Sequence, residues 1–244
     1  MLTAWDERRD LAIGGDEKTT IAFAADHWIR LAKTAIKHSG RFAVALSGGS
    51  TPKAIFTYLA EQPNALDWSR VWLFWSDERS VEPDHPDSNY HMAMTAGLNK
   101  LPLSPQNIFR MKAENEIEKH AAEYEEIIQN KLGDDLFDLV MLGLGEDGHT
   151  ASLFPNTKAL KETRHLVAAN HILEKNTWRM TFTFPCINQS RCSAIYALGK
   201  GKADIVKQVL KAKLPSPWPA SFVGTKERKA IWILDNSASQ DLCC

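Results

Sequence analysis

A chain of 244 residues, 44% hydrophobic and 24% charged, is long enough to bury a substantial core and ordinary for a globular protein in water. Its formal net charge is -1 with the basic residues scattered, so the basic cluster of a nucleic-acid groove or membrane-surface protein is missing. No stretch approaches the roughly 20 apolar residues of a membrane helix, and the opening MLTAWDERRD lacks the apolar core of a signal peptide. Cys186, Cys192, Cys243 and Cys244 show no zinc-like CxxC spacing. The expectation is a reduced, cytoplasmic protein with no nucleic-acid or membrane partner; nothing in the sequence sets its oligomeric state.

In chain order, TTIAFAADHWIRLAKTAIKH (19–38) has helical periodicity and stops at Gly40, a suitable helix terminator. RFAVAL reads as a short buried strand, and TPKAIFTYLA as the next helix, with Pro52 in the first turn where a missing N–H costs nothing. RVWLFW is an apolar strand, in which Trp72 and Trp75 are expected to pack the core. SNYHMAMTAGL follows as a helix with Ser88 as its N-cap. NIFR reads as a short strand before the amphipathic helix ENEIEKHAAEYEEIIQNKL, whose acidic side is a solvated face. FDLVMLGL is the clearest buried strand; RMTFTF alternates like one, SAIYALG is another, KGKADIVKQVL is helical, and LPSPWP bends the chain before a last strand, KAIWILD.

Strands alternating with helices predict an α/β fold: a mainly parallel, doubly wound sheet flanked by helices, with a possible small subdomain. One domain over residues 1–244 is expected. In such sheets ligands bind outside the carboxyl ends of the strands, so the residues directly after each strand carry the interest.

Three of these junctions are chemically rich. In ALSGGSTPKAI, the small residues Gly48, Gly49, Ser50 and Thr51 let backbone N–H groups converge on an anion where a helix begins and its dipole adds about half a positive charge. The plainer reading is an ordinary strand-to-helix turn, and neither nucleotide-binding glycine fingerprint is present. In FWSDERSVEPDHPDSNYHM, Asp77, Glu78 and Arg79 follow a strand without a break, and an arginine there can clamp a phosphate or carboxylate through two parallel hydrogen bonds. The alternative is a solvated charge cluster. In LVMLGLGEDGHTASLFP, glycines bracket Asp147 and His149, a carboxylate–imidazole pair able to take a proton from water near neutral pH. A histidine bonded to a local carbonyl, or one member of a metal set, is the competing reading, although Glu146, Asp147 and His149 alone make a poor ligand cluster. No GxSxG elbow is present, which argues against a serine hydrolase.

Taken together, LSGGSTP, DERSVEPDHPDSN and GLGEDGHTASLFP resemble, in order, the signature segments of the 6-phosphogluconolactonases. RMTFTFPCINQSR, GKGKA and the final AIWILD fit the same family, so the resemblance covers about residues 19–235 and leaves most of residues 1–18 and the Cys243–Cys244 tail unassigned. It implies hydrolysis of 6-phospho-D-glucono-1,5-lactone, a sugar-phosphate lactone, to 6-phosphogluconate without metal or other cofactor. It further implies a fold similar to that of the glucosamine-6-phosphate deaminases. In those enzymes the DGH loop continues into an acid-bearing FNEPG-like segment, whereas TASLFP has no acid, which favours the lactonase. A non-catalytic sugar-phosphate sensor is the other rival; it has no need of His149 and usually carries an added module.

The expected roles follow from the resemblance. The phosphate sits on Gly48, Gly49, Ser50 and Thr51, with Arg79 and, as helpers, Arg179 and Lys202 around it. His149 is the general base, Asp147 orients its ring, Asp77 fixes Arg79 or a sugar hydroxyl, and Glu78 faces away. His27, His38, His91 and His120 are expected to be packing or surface residues, and no bet is placed on His85.

Overall fold

The computed structural model describes residues 2–133 and 137–242, so the Cys243–Cys244 tail lies outside the described residues. Its strands are β1 (Leu2–Ala4), β2 (Arg9–Ile13), β3 (Phe42–Leu46), β4 (Val71–Trp75), β5 (Asp77–Arg79), β6 (Leu139–Gly143), β7 (Val167–Ile172), β8 (Thr177–Phe182), β9 (Ser193–Ala197) and β10 (Ala230–Leu234). Its helices are α1 (Glu17–Ser39), α2 (Ser50–Ala60), α3 (Asn89–Thr95), α4 (Ile117–Leu132), α5 (Phe184–Asn188), α6 (Ala203–Lys211) and α7 (Asn236–Ser239).

Seven strands form the main sheet in the order β1-β2-β10-β9-β6-β3-β4, parallel throughout except for the β1–β2 pair at one edge. Every residue of β3 and of β9 is buried, which is why both read as unbroken runs of small and apolar residues: a parallel strand is covered on both faces. The remaining three strands make an antiparallel sheet, β5-β8-β7. Thus RMTFTF is a strand as expected, but an antiparallel one in the smaller sheet.

Ser76 is where the chain passes from one sheet to the other. Its Oγ donates to the carbonyls of Leu46 and Met141 at 3.0 and 3.1 Å, tying it to β3 and β6, while its own carbonyl accepts from Phe182 of β8 at 2.8 Å. The DER triplet is therefore a short strand, not the surface loop considered from sequence. NIFR, expected to be a strand, makes only an isolated bridge between Ile108 and Leu73. The unassigned amino-terminal residues form β1 and β2, and the buried Arg9 is satisfied by Asp6 and by the Val209 and Leu210 carbonyls.

Capping follows the sequence closely. Asp16 accepts from Thr19 N at the start of α1, and Gly40 ends it at φ 76°, in the left-handed region that glycine enters freely. Ser88 caps α3 by accepting from His91 N. Trp75 is fully buried as expected, whereas Trp72 is only half-buried, with the Arg41 guanidinium 5.2 Å from its ring.

His27 packs inside α1, its ring parallel to that of Phe23, and burial followed by the charge of Arg30 pushes its pKa down from 6.5 to about 4. The unfolded chain therefore binds the proton more tightly than the folded one, so stability is complete above pH 6.5 and falls as pH drops from there towards 4. At pH 4.5 this one group should cost about 2–3 kcal/mol. Denaturant unfolding at pH 7 and 4.5 should show a smaller acid loss in His27→Leu than in the parent; equal losses would mean that His27 is not the group responsible.

Candidate active site

After β3 the chain moves to β4 on one side, and after β6 it eventually reaches β9 on the other. The carboxyl ends of β3 and β6 thus flank the switch point of the sheet, where α/β folds open a crevice. A cleft of about 230 Å³ lies there. Its walls are the turn Ser47–Pro52 after β3; Asp77, Arg79 and Asn89; the glycine turn Gly143–Gly145 with His149 and Ala151; and Tyr196, Ala197, Leu198 and Lys202 beyond β9. All three junctions singled out from sequence meet in this one place.

On the β3 side, Gly49 is the N-cap of α2 with φ 105°, and no side chain caps that helix, so its first-turn N–H groups are open to an anion. Gly48 packs so closely against the Asn89 amide that a Cβ at this position would collide with Asn89 Oδ1. Glycine is needed here for close approach.

Asp77 and Arg79 sit on β5, one residue apart and so on the same face. Asp77 accepts from Ser152 Oγ at 2.7 Å, and its carbonyl accepts from Asn89 Nδ2 at 2.9 Å. The Arg79 Nη1 group donates to the Asp87 carbonyl at 2.6 Å. Asp77 is therefore held by Ser152, and the Asp87 carbonyl steadies Arg79; of the two partners expected for Asp77, Arg79 or a sugar hydroxyl, the hydrogen bonds here do not include Arg79. Glu78, expected to face away, does not line the cleft; it is 3% exposed and turned into the protein.

The β6 side carries the pair that raised the catalytic reading. The turn is tight: Gly145 N donates to the His149 carbonyl at 2.8 Å and Gly148 N to the Gly145 carbonyl at 3.1 Å. Gly148 has φ 73°, and Thr150 Oγ1 donates back to the Gly143 carbonyl at 2.8 Å. His149 Nδ1 lies 2.5 Å from Asp147 Oδ1, and the ring stacks on Phe154 with centroids 3.9 Å apart. That geometry places a proton on Nδ1, the tautomer being assigned from the hydrogen bond, and leaves Nε2 as the basic nitrogen. Burial raises the Asp147 carboxyl, but the His149 hydrogen bond and charge outweigh it and the pKa ends below the usual value. Asp147 stands behind the ring, where it borders a larger hollow of about 770 Å³ walled by Phe154, His171 and Trp178; that hollow includes none of the glycine turns after β3 and β6.

Of the residues expected from sequence, Gly48, Gly49, Ser50, Thr51, Asp77, Arg79, His149 and Lys202 line the cleft, and Asp147 touches it through His149. Lys202 Nζ donates to the Leu144 carbonyl at 2.8 Å, which fixes the ammonium over the glycine turn. Arg179 does not line the cleft. It pairs with Arg79 across the β5–β8 ladder, and its Nη1 donates to Thr177 Oγ1 and the Trp178 carbonyl at 3.0 and 3.2 Å. Asn89 and Ser152 went unnoticed in the sequence, where one reads as helix and the other as loop; the sole local sign is that Asn89 follows the Ser88 cap. Among the described residues, no three histidine, cysteine, aspartate or glutamate side chains converge as a ligand set.

A family model described as glucosamine-6-phosphate isomerases/6-phosphogluconolactonase matches residues 15–232. A 6-phosphogluconolactonase of Chlamydia pneumoniae is 41% identical over 217 residues, covering 88% of this chain and 83% of that protein. The solved 6-phosphogluconolactonase of Trypanosoma cruzi superposes with TM-score 0.85 at 27% identity, covering 96% of this chain and 97% of that one. A monomeric glucosamine-6-phosphate deaminase, 18% identical with TM-score 0.81 and covering 95% of this chain and 99% of that one, shares the fold.

Proposed function

The chain belongs to the glucosamine-6-phosphate isomerase/6-phosphogluconolactonase family, and on that premise we propose that it hydrolyses 6-phospho-D-glucono-1,5-lactone to 6-phospho-D-gluconate with water activated by His149. The reaction is the second step of the oxidative pentose phosphate pathway. The observation that carries the mechanism is the Asp147–His149 pair on the same cleft as an uncapped helix start flanked by Arg79 and Lys202.

In this reading the 6-phosphate rests on the turn Gly48–Thr51 at the start of α2, where backbone N–H groups and the helix dipole favour an anion. Arg79 and Lys202 supply the compensating charge, and Arg179 adds to the positive field from the next strand. Asp77, steadied by Ser152, accepts a sugar hydroxyl. The anchored lactone presents its carbonyl carbon beside His149. Nε2 takes a proton from a water molecule as its oxygen attacks that carbon, and the carbonyl electron pair moves onto oxygen. Backbone N–H groups of the glycine turn stabilise the resulting oxyanion. Collapse breaks the bond to the ring oxygen, which receives the proton back from the imidazolium; Asp147 stabilises the imidazolium while it exists. The scheme uses no metal ion.

A cytoplasmic setting is part of the proposal and is supported by the buried, unpaired thiols of Cys186 and Cys192. The test of the phosphate anchor is kcat/KM for the phosphorylated lactone against unphosphorylated gluconolactone. Two charge-assisted contacts should make the ratio about 100-fold or more. Equal values would show that the turn after β3 does not read the phosphate.

A further inference from the structure

We propose that Glu78 is a positioning residue whose buried carboxylate closes the loop from Arg79 to Asn89 and so sets the Arg79 guanidinium and the Asn89 amide on the cleft wall. The inference rests on the reading above for what the cleft binds, and it adds a residue that the chemical scheme does not use.

Both carboxylate oxygens are fully engaged. Oε1 accepts from Arg79 N at 2.8 Å and Asn89 N at 2.7 Å, while Oε2 accepts from Ser88 Oγ at 3.0 Å and Tyr90 N at 2.8 Å. One side chain thus grips both ends of an excursion whose tip, residues 84–87, is exposed. The Arg79 backbone is also held in the β5–β8 ladder and accepts from Val81 N at 2.8 Å, while the side-chain ties on the cleft residues are Arg79 Nη1 to the Asp87 carbonyl and Asn89 Nδ2 to the Asp77 carbonyl. The Asn89 side chain in turn abuts Gly48 of the phosphate turn, so the grip of Glu78 reaches two of the three junctions.

The chemistry calls for a carboxylate in particular. Four donors converge, and an ionised carboxyl offers lone pairs on two oxygens to meet them, whereas a glutamine of the same shape has one acceptor oxygen and turns an NH₂ towards two of the donors. Burial raises the Glu78 carboxyl above its usual pKa even against these four hydrogen bonds, so keeping an acid here has a cost that packing alone does not explain. At the start of α3 Ser88 Oγ accepts from His91 N, and Glu78 meets the Asn89 and Tyr90 N–H groups that this cap leaves open, so the grip on the loop is also a grip on the helix start.

The test is a double-mutant cycle of Glu78→Gln with Arg79→Ala, reading KM and kcat for the phosphorylated lactone together with the Kd of 6-phosphogluconate by calorimetry. Leaving a buried N–H unmet and the loop loose should weaken Kd and raise KM about tenfold with kcat within about threefold. In the Arg79→Ala background the same substitution should weaken Kd by clearly less than it does in the parent, because one of the two groups it positions is gone. Glu78→Asp, which keeps the charge, should fall between the parent and Glu78→Gln, and it takes the place of Glu78→Gln in the cycle if the latter does not fold. Parent-like Kd and KM in folded Glu78→Gln would overturn the inference, and so would a Kd penalty that is fully additive with Arg79→Ala. A parent enzyme that binds 6-phosphogluconate but does not open the lactone would overturn the lactonase reading instead, with the Kd cycle still deciding the role of Glu78.

Discussion

His149→Ala is expected to lower kcat about 10²–10⁴-fold, the usual loss when a general base is removed. KM should change far less, because the groups proposed to hold the phosphate belong to α2, β5 and the segment after β9, none of which depends on the imidazole. The fold should survive: His149 lies on a turn beyond the end of β6, and its backbone bonds to Gly145 and Asp147 do not involve the ring. Circular dichroism and thermal melting would verify folding beside steady-state kinetics. A folded variant with kcat within tenfold of the parent would place the base elsewhere.

Gly145→Ala is expected to come close to the same loss without touching either member of the pair. An added Cβ would collide with Nδ1 and Cε1 of His149 and approach Asp147 Oδ1 to 2.7 Å. Neither neighbour can yield cheaply, since the ring is backed by Phe154 and the carboxylate is bonded to the ring. The imidazole must therefore rotate or shift, and displacement of a catalytic group by about 1 Å can cost on the order of 10²-fold. The kinetic signature is a fall in kcat with KM nearly unchanged and a melting temperature within a few degrees of the parent. A fully active Gly145→Ala would show that the ring position is not what limits the rate.

These two residues also mark how far the sequence could be read. The glycine turns after β3 and β6 were legible because their chemistry is local: spacing puts Asp147, Gly148 and His149 on one turn, and Gly48 to Thr51 at one helix start. The parallel strands FAVAL, VWLFW, LVMLG, SAIYA and AIWIL were legible because burial on both faces leaves unbroken apolar runs. β2 was hidden by Arg9 and Asp10, whose charges look like surface until Arg9 is seen to reach the Val209 and Leu210 carbonyls some 200 residues away. β7 was hidden by the buried Asn170, which breaks the apolar pattern and is met by the Ser152 carbonyl and Thr157 Oγ1.

The same limit applies inside the cleft. Ser152 supports Asp77 across 75 residues of sequence, and no local pattern announces such a partner. In the sequence Glu78 reads as the member of the DER triplet that faces away, with nothing to say what it faces instead. It is buried because β5 leaves the main sheet at Ser76 and turns alternate side chains to opposite faces, and the face opposite Asp77 and Arg79 is covered by the start of α3.

The central claim is that this cleft opens a phosphorylated lactone ring, and the most direct measurement is the initial rate of ring opening of freshly prepared 6-phosphogluconolactone, followed by NMR with spontaneous hydrolysis subtracted. The account predicts rapid, saturable conversion to 6-phosphogluconate at catalytic amounts of the parent protein. A rate no greater than that in buffer alone, from folded protein, would contradict it.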